Sequence, residues 1–147
     1  MTNESNYSAS LFRKGNKPVI GMIHLLPLPG SPSNSDGGIN RIMDEAIGEA
    51  RILNEGGVDG ILIQNSNDGP FAPEVGPETI AYMSVISAAI RKEIDCHLGI
   101  NVLLVGTIPS LAIAHASGAD FVRIKVYYET VITSEGLLSG ESREALL

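Results

Sequence analysis

Apolar runs of about strand length alternate along this chain with longer stretches whose apolar positions recur at helical spacing. The first run, Pro18-Val19-Ile20-Gly21-Met22-Ile23-His24-Leu25, is β-branched at its start and closes into Pro27-Leu28-Pro29-Gly30-Ser31-Pro32. That pattern predicts a buried strand followed by a rigid loop. Ile39, Ile42, Met43, Ala46, Ala50 and Leu53 then recur at three- and four-residue steps up to Gly56-Gly57, while Asp44, Glu45, Glu49 and Arg51 fall on the other face. This is an amphipathic helix with one apolar stripe. A second strand follows at Val58 to Asn65, then a polar loop through Asp68-Gly69-Pro70. Gly76-Pro77-Glu78 opens a second helix running to about Lys92, because proline suits the first helical position and an acid there complements the helix dipole. A third strand is expected from Leu98 to Leu104, a third helix from the Gly106-Thr107 turn to Gly118, and a fourth strand over Phe121 to Val126. A fourth helix is expected to begin near Glu141.

An internal repeat fixes the phase. Gly57-Val58-Asp59-Gly60-Ile61-Leu62-Ile63 and Gly118-Ala119-Asp120-Phe121-Val122-Arg123-Ile124 share one order: a helix-ending glycine, a small residue, an aspartate, then a strand. Strict β/α alternation with short connections implies parallel strands joined by right-handed crossovers. An open doubly wound sheet and a closed barrel both satisfy that rule. Units of ~30 residues suit a (β/α)8 TIM-type barrel, which needs ~250 residues in all. The 147 residues hold about the first four β/α units, a half barrel. Either the chain is a fragment, which is the favoured expectation, or two copies pair their edges into a homo-oligomer.

Composition narrows the partners. A net charge of −7 with ten scattered Lys and Arg excludes nucleic acid as a main partner, since phosphate binding needs clustered cations. The single cysteine, Cys96, excludes an internal disulfide framework and fits a reducing, cytoplasmic setting. Residues 1–16 are rich in Ser and Asn and are expected to form a disordered lead-in, with residues 17–147 as the domain. No stretch is long and apolar enough to span a bilayer.

Strand parity sorts the candidate chemistry. If Val122, Ile124 and Val126 face the helices, then Phe121, Arg123 and Lys125 face the barrel interior. Two cations there are costly unless paired. They either grip an anion, such as a phosphate or carboxylate, or join an internal salt-bridge network; Lys125 with a depressed pKa would also suit Schiff-base chemistry. The repeat puts Gln64 level with Lys125, so it too should point inward, with Asn65 at the strand mouth. His24 ends the first strand, where a general acid or base would sit, or equally a hydrogen-bonded structural histidine. Asn101 is a buried amide that must find partners. Asp68 follows the second strand as a catalytic, metal-binding or turn residue. Catalytic candidates are thus His24, Lys125 and Asp68, and binding candidates are Gln64, Asn65, Asn101 and Arg123. Asp59 and Asp120, at strand starts, are read as structural. No nucleotide-binding glycine fingerprint appears, no metal motif is supported, and no cofactor is indicated.

Four stretches carry a family resemblance: Ile20 to Pro32; Gly56 to Asn65; Gly99-Ile100-Asn101-Val102-Leu103; and Gly118 to Val126 with Gly136-Leu137-Leu138-Ser139-Gly140 after it. In these the chain resembles the BtpA/SgcQ family from about Lys17 onward. The resemblance implies a TIM-type barrel of the ribulose-phosphate-binding kind, normally near twice this length, whose phosphate site usually lies in the other half. Interior charge at the catalytic end together with this fold points to an enzyme, or former enzyme, acting on a phosphorylated sugar or nucleoside-like molecule; the resemblance implies as the alternative a non-catalytic factor in photosystem I biogenesis at photosynthetic membranes, with peripheral membrane association. The chain departs from the family pattern in two places. Gln64-Asn65 stands where many members have an acid followed by Asn, and Leu104-Val105-Gly106 stands where an Arg-Asn-Asp run is common.

Overall fold

The computed structural model describes residues 11–147, apart from residues 14, 36, 37, 73 and 105. Residues 1–10 of the expected lead-in therefore lie outside the described residues. Four strands, β1 (Ile20–His24), β2 (Gly60–Gln64), β3 (His97–Asn101) and β4 (Phe121–Val122), alternate with helices α1 (Ile39–Glu55), α2 (Pro77–Arg91) and α3 (Thr107–Ser117). They form one parallel sheet in the order β1-β2-β3-β4. This α/β arrangement is consistent with consecutive units of a TIM-type barrel.

Side-chain alternation divides the sheet into two faces. Ile23, Leu25, Ile61, Ile63, Leu98 and Ile100 are buried in one cluster with Ile42, Ala46 and Ala50 of α1, Met83, Ile86 and Ile90 of α2, and Ile113 and Ala114 of α3. The three helices α1, α2 and α3 all pack on that face. The opposite, open face carries the other parity. Its middle row is Met22, Leu62, Gly99 and Phe121, matched by the strand registers. Gly99 is required there, because a Cβ at this position would run into the Phe121 ring. Phe12 stacks edge-on against the same ring at 5.4 Å, and Leu11 beside it is buried.

Each aspartate of the repeat ties down a strand start. The Asp59 carboxylate accepts from the Val19 backbone N–H at 2.7 Å, and Asp120 accepts from Leu98 N–H at 2.8 Å. Gly118, in the left-handed conformation at φ 71°, closes α3, which only glycine does without steric cost.

Three departures from the sequence expectation bear on the strand ends. β3 stops at Asn101 rather than Leu104, since the next two backbone N–H groups are taken by side chains: Val102 donates to Ser110 Oγ at 3.0 Å and Leu103 to Asn65 Oδ1 at 2.9 Å. β4 stops at Val122 rather than Val126. One further ladder bond, Arg123 N–H to the Ile100 carbonyl at 2.9 Å, carries the pairing to its end. Beyond it Val126 is buried in a second small cluster with Leu104 and Leu138. Between β4 and Glu141, where no element was expected, the chain forms an antiparallel hairpin, β5 (Thr130–Thr133) and β6 (Gly136–Ser139); near Glu141, where a fourth helix was expected to begin, Ala145 N–H donates to the Glu141 carbonyl at 3.0 Å and a short 3-10 turn follows at Glu144–Leu146.

Candidate functional site

The C-terminal ends of the strands bring four of the sequence candidates into a single transverse row. His24 of β1 is in register with Gln64 of β2, which is in register with Asn101 of β3. Arg123, the residue after β4, completes the row on the same open face. The rule that places them is the two-residue period of a strand, which sends every second side chain to one face.

Arg123 is exposed, yet its guanidinium is held. Nη1 donates to Gln64 Oε1 at 3.2 Å and, more weakly, to Asn101 Oδ1 at 3.5 Å. Asn101 answers by donating Nδ2 to the Arg123 carbonyl at 2.7 Å. That satisfies its buried amide on both sides. Both partners of the cation are neutral. Among the described residues Arg123 forms no ion pair, and neither does Lys125, which lies beyond the end of β4 and is exposed. His24 is exposed and has no hydrogen-bond partner among the described residues. The row therefore combines an imidazole, two amides and an uncompensated cation, without a carboxylate.

Asn65 and Asp68 are placed differently. Both are buried just past β2, Asp68 in a 3-10 turn at Ser66–Asp68. Asn65 Nδ2 donates to Asp68 Oδ2 at 3.0 Å, and its Oδ1 accepts from Leu103 N–H; Asp68 Oδ1 accepts from Leu28 N–H at 2.7 Å. Asn67 adds a bond from Nδ2 to the Leu25 carbonyl at 2.8 Å. These bonds lock the loops after β1, β2 and β3 to one another. Asn65 and Asp68 also line a cleft of about 240 Å³ between the first two loops, with Gly30, Ser31, Phe71 and Glu78. Sequence reasoning missed Asn67 and Ser110, whose partners are distant backbone groups. The loop after β3 carries Leu104 at φ 67°, the left-handed region that a non-glycine residue enters at a cost. Of the departure noted at Leu104-Val105-Gly106, Val105 lies outside the described residues.

Among the described residues no three His, Cys, Asp or Glu side chains converge as a metal site. None of the described helices is long and apolar enough to cross a membrane.

The BtpA family model matches residues 15–147. An uncharacterised protein of Archaeoglobus fulgidus is 44% identical over 130 residues, covering 88% of this chain and 52% of that protein. An uncharacterised protein of Methanocaldococcus jannaschii is 42% identical, covering 91% of this chain and 50% of its own length. A Synechocystis protein named photosystem I biogenesis protein BtpA is 38% identical, with 88% of this chain and 45% of that protein covered. No solved structure matches. The chain spans about half the length of the curated relatives it matches. With the family model covering nearly all of it, this chain belongs to the BtpA family.

Proposed function

We propose that the row at the strand ends is part of the mouth of a TIM-type barrel and holds the anionic group of a small molecule, a phosphorylated sugar or a nucleoside-like compound. The observation that carries this reading is the state of Arg123: aimed by two neutral amide oxygens, paired with no acid among the described residues, and facing the open side of the sheet. An arginine so held recognises phosphate or carboxylate oxygens with its remaining N–H groups. Strand C-terminal ends are where barrels of this class gather their functional groups, which supports the placement by analogy of fold alone. In this reading Arg123, with Lys125 within reach from the chain beyond β4, binds the anion. Gln64 and Asn101 orient the arginine, and exposed His24 on the same row exchanges a proton with the bound molecule. Asn65 and Asp68 hold the surrounding loops in place.

The test is thermal melting of the protein against a panel of sugar phosphates and nucleotides. A ligand at a hundred times its Kd adds about 2.7 kcal/mol of stability, an easily read rise in Tm that Arg123→Ala should abolish. If no member of the panel ever shifts the wild-type protein, the reading fails.

A second reading, a non-catalytic part in photosystem I biogenesis, is favoured by the name of the Synechocystis relative. It predicts co-sedimentation with photosynthetic membranes that survives Arg123→Ala. The net charge of −7 supplies no attraction to an anionic lipid surface.

A further inference from the structure

Gln64 sits at the centre of the row and is buried to all but 8% of its surface. Adjacent strands lie about 4.8 Å apart, so for Arg123 to reach from beyond β4 to β2 its guanidinium must extend across Asn101. The positive charge thus rests over the middle of the sheet rather than above its own strand. Asn101 uses both ends of its amide in holding it. Gln64 uses one end: Oε1 accepts from Nη1, and no partner for Nε2 is found among the described residues. The amide cannot be turned round, because Nε2 against Nη1 would set donor against donor. Nε2 is therefore left as a free donor beside the guanidinium.

A carboxylate would fit this position with almost the same shape and would hold the arginine more tightly. It would also cancel its charge. The neutral amide fixes the guanidinium and leaves its charge unspent. We infer that Gln64 is the charge-selecting residue of this mouth: it aims Arg123 at the open face, keeps that cation available, and offers Nε2 to an acceptor oxygen next to the anionic group. The ligand class is then an anion with a hydroxyl, carbonyl or further anionic oxygen adjacent to it. This rests on the anion-binding reading above and adds the residue on which the sign of the site depends.

The other titratable group on the row is His24 of β1, and Lys125 lies beyond β4 and is exposed, while β3 supplies only neutral Asn101. The experiment uses inorganic sulfate as the probe and compares wild type, Gln64→Glu and Gln64→Leu by titration calorimetry and sulfate-dependent melting at pH 7.5. Gln64→Leu drops the bond to Arg123 but keeps its charge, and should weaken sulfate about threefold. Gln64→Glu keeps the bond and cancels the charge, and should weaken sulfate about tenfold or more. The order wild type, then Leu, then Glu supports the inference. A merely structural Gln64 gives the reverse, with Glu nearer to wild type than Leu, and that order overturns it. Should Gln64→Glu not melt cooperatively, Gln64→Asp gives the same comparison with a shorter carboxylate. Sulfate binding by wild type that Glu leaves unchanged overturns this inference alone. Failure of wild type to bind sulfate or any sugar phosphate overturns the anion reading and this inference with it.

Discussion

Replacing Asp120 by alanine should destabilise the protein far more than the same change at its repeat counterpart Asp59, although the two occupy equivalent places in the sequence. Asp120 Oδ2 accepts from the Leu98 N–H at 2.8 Å and from Arg91 Nη1 at 3.2 Å, and it lies 3.6 Å from His97 Nδ1. Its side chain is 19% exposed and that of Arg91 24%. Leu98 is fully buried and its bond to the carboxylate is part-buried, so its N–H is far less open to water than that of exposed Val19. Such an orphaned donor costs about 1–3 kcal/mol. The part-exposed ion pair adds about 0.5–1 kcal/mol after solvent screening. Arg91 meanwhile keeps its bonds to the Ile94 and Cys96 carbonyls, at 2.7 and 2.9 Å, which limits further damage. A loss of about 1.5–4 kcal/mol follows, or a fall in Tm of roughly 5–15 °C for a domain of this size. Asp59 is exposed and holds only Val19 N–H, which water can replace, so alanine there should cost about 0.5–1 kcal/mol. Urea denaturation of both variants, with matching m-values, measures the difference. Equal losses at the two sites would refute the reasoning that burial of the donor, and not the motif, sets the cost.

Two further outcomes are expected. Burial pushes the Cys96 thiol above its ordinary pKa, only partly offset by the Arg91 guanidinium, so less thiolate is present at any pH below that value. Ellman-type reagent at pH 8 should therefore react more slowly with the folded protein than with the urea-unfolded chain, and equal rates would count against a part-buried thiol with a raised pKa. In the parallel sheet the outermost strands, β1 and β4, each have one neighbour, and two such edges are geometrically able to pair between copies related by a two-fold axis along the strands. If a second copy completes the mouth, light scattering will give twice the chain mass, and a proline at Met22 will break it; a monomer at high micromolar concentration removes that route.

How much of this was legible in the sequence depends on the range of the force involved. Strand parity is local, and it turned Phe121 and Arg123 away from the helices; the repeat turned Gln64 the same way but set it level with Lys125, whereas the strand registers put it level with Asn101 and Arg123. The strand-start aspartates were legible as structural from their place at the end of the strands away from the mouth, but not their partners, the Val19 and Leu98 N–H groups 40 and 22 residues away in sequence. Strand ends were not legible. β3 ends where Ser110 and Asn65 capture backbone donors from 8 and 38 residues away in sequence. Periodicity carries no trace of such competition, so the apolar run to Leu104 reads as a strand. The hairpin was accessible, as Thr130-Val131-Ile132-Thr133 and Gly136-Leu137-Leu138-Ser139 are short runs two residues apart, a recognised hairpin spacing.

Lys125 shows why the distinction matters to function. Its assignment to the barrel interior extrapolated the parity of β4 three residues beyond the last paired one, where the backbone no longer holds the alternation. Arg123 escapes that objection, because its own N–H still bonds the Ile100 carbonyl and its side chain is tied to β2 and β3. Of two cations that look alike in sequence, one is therefore preorganised, and a ligand need not order it at the moment of binding. Fixing a side chain as long as arginine costs about 0.5–1.5 kcal/mol, which Gln64 and Asn101 have already met in the folded chain. Lys125 still has that cost ahead of it. Truncating Lys125 should on this ground weaken any bound anion less than truncating Arg123.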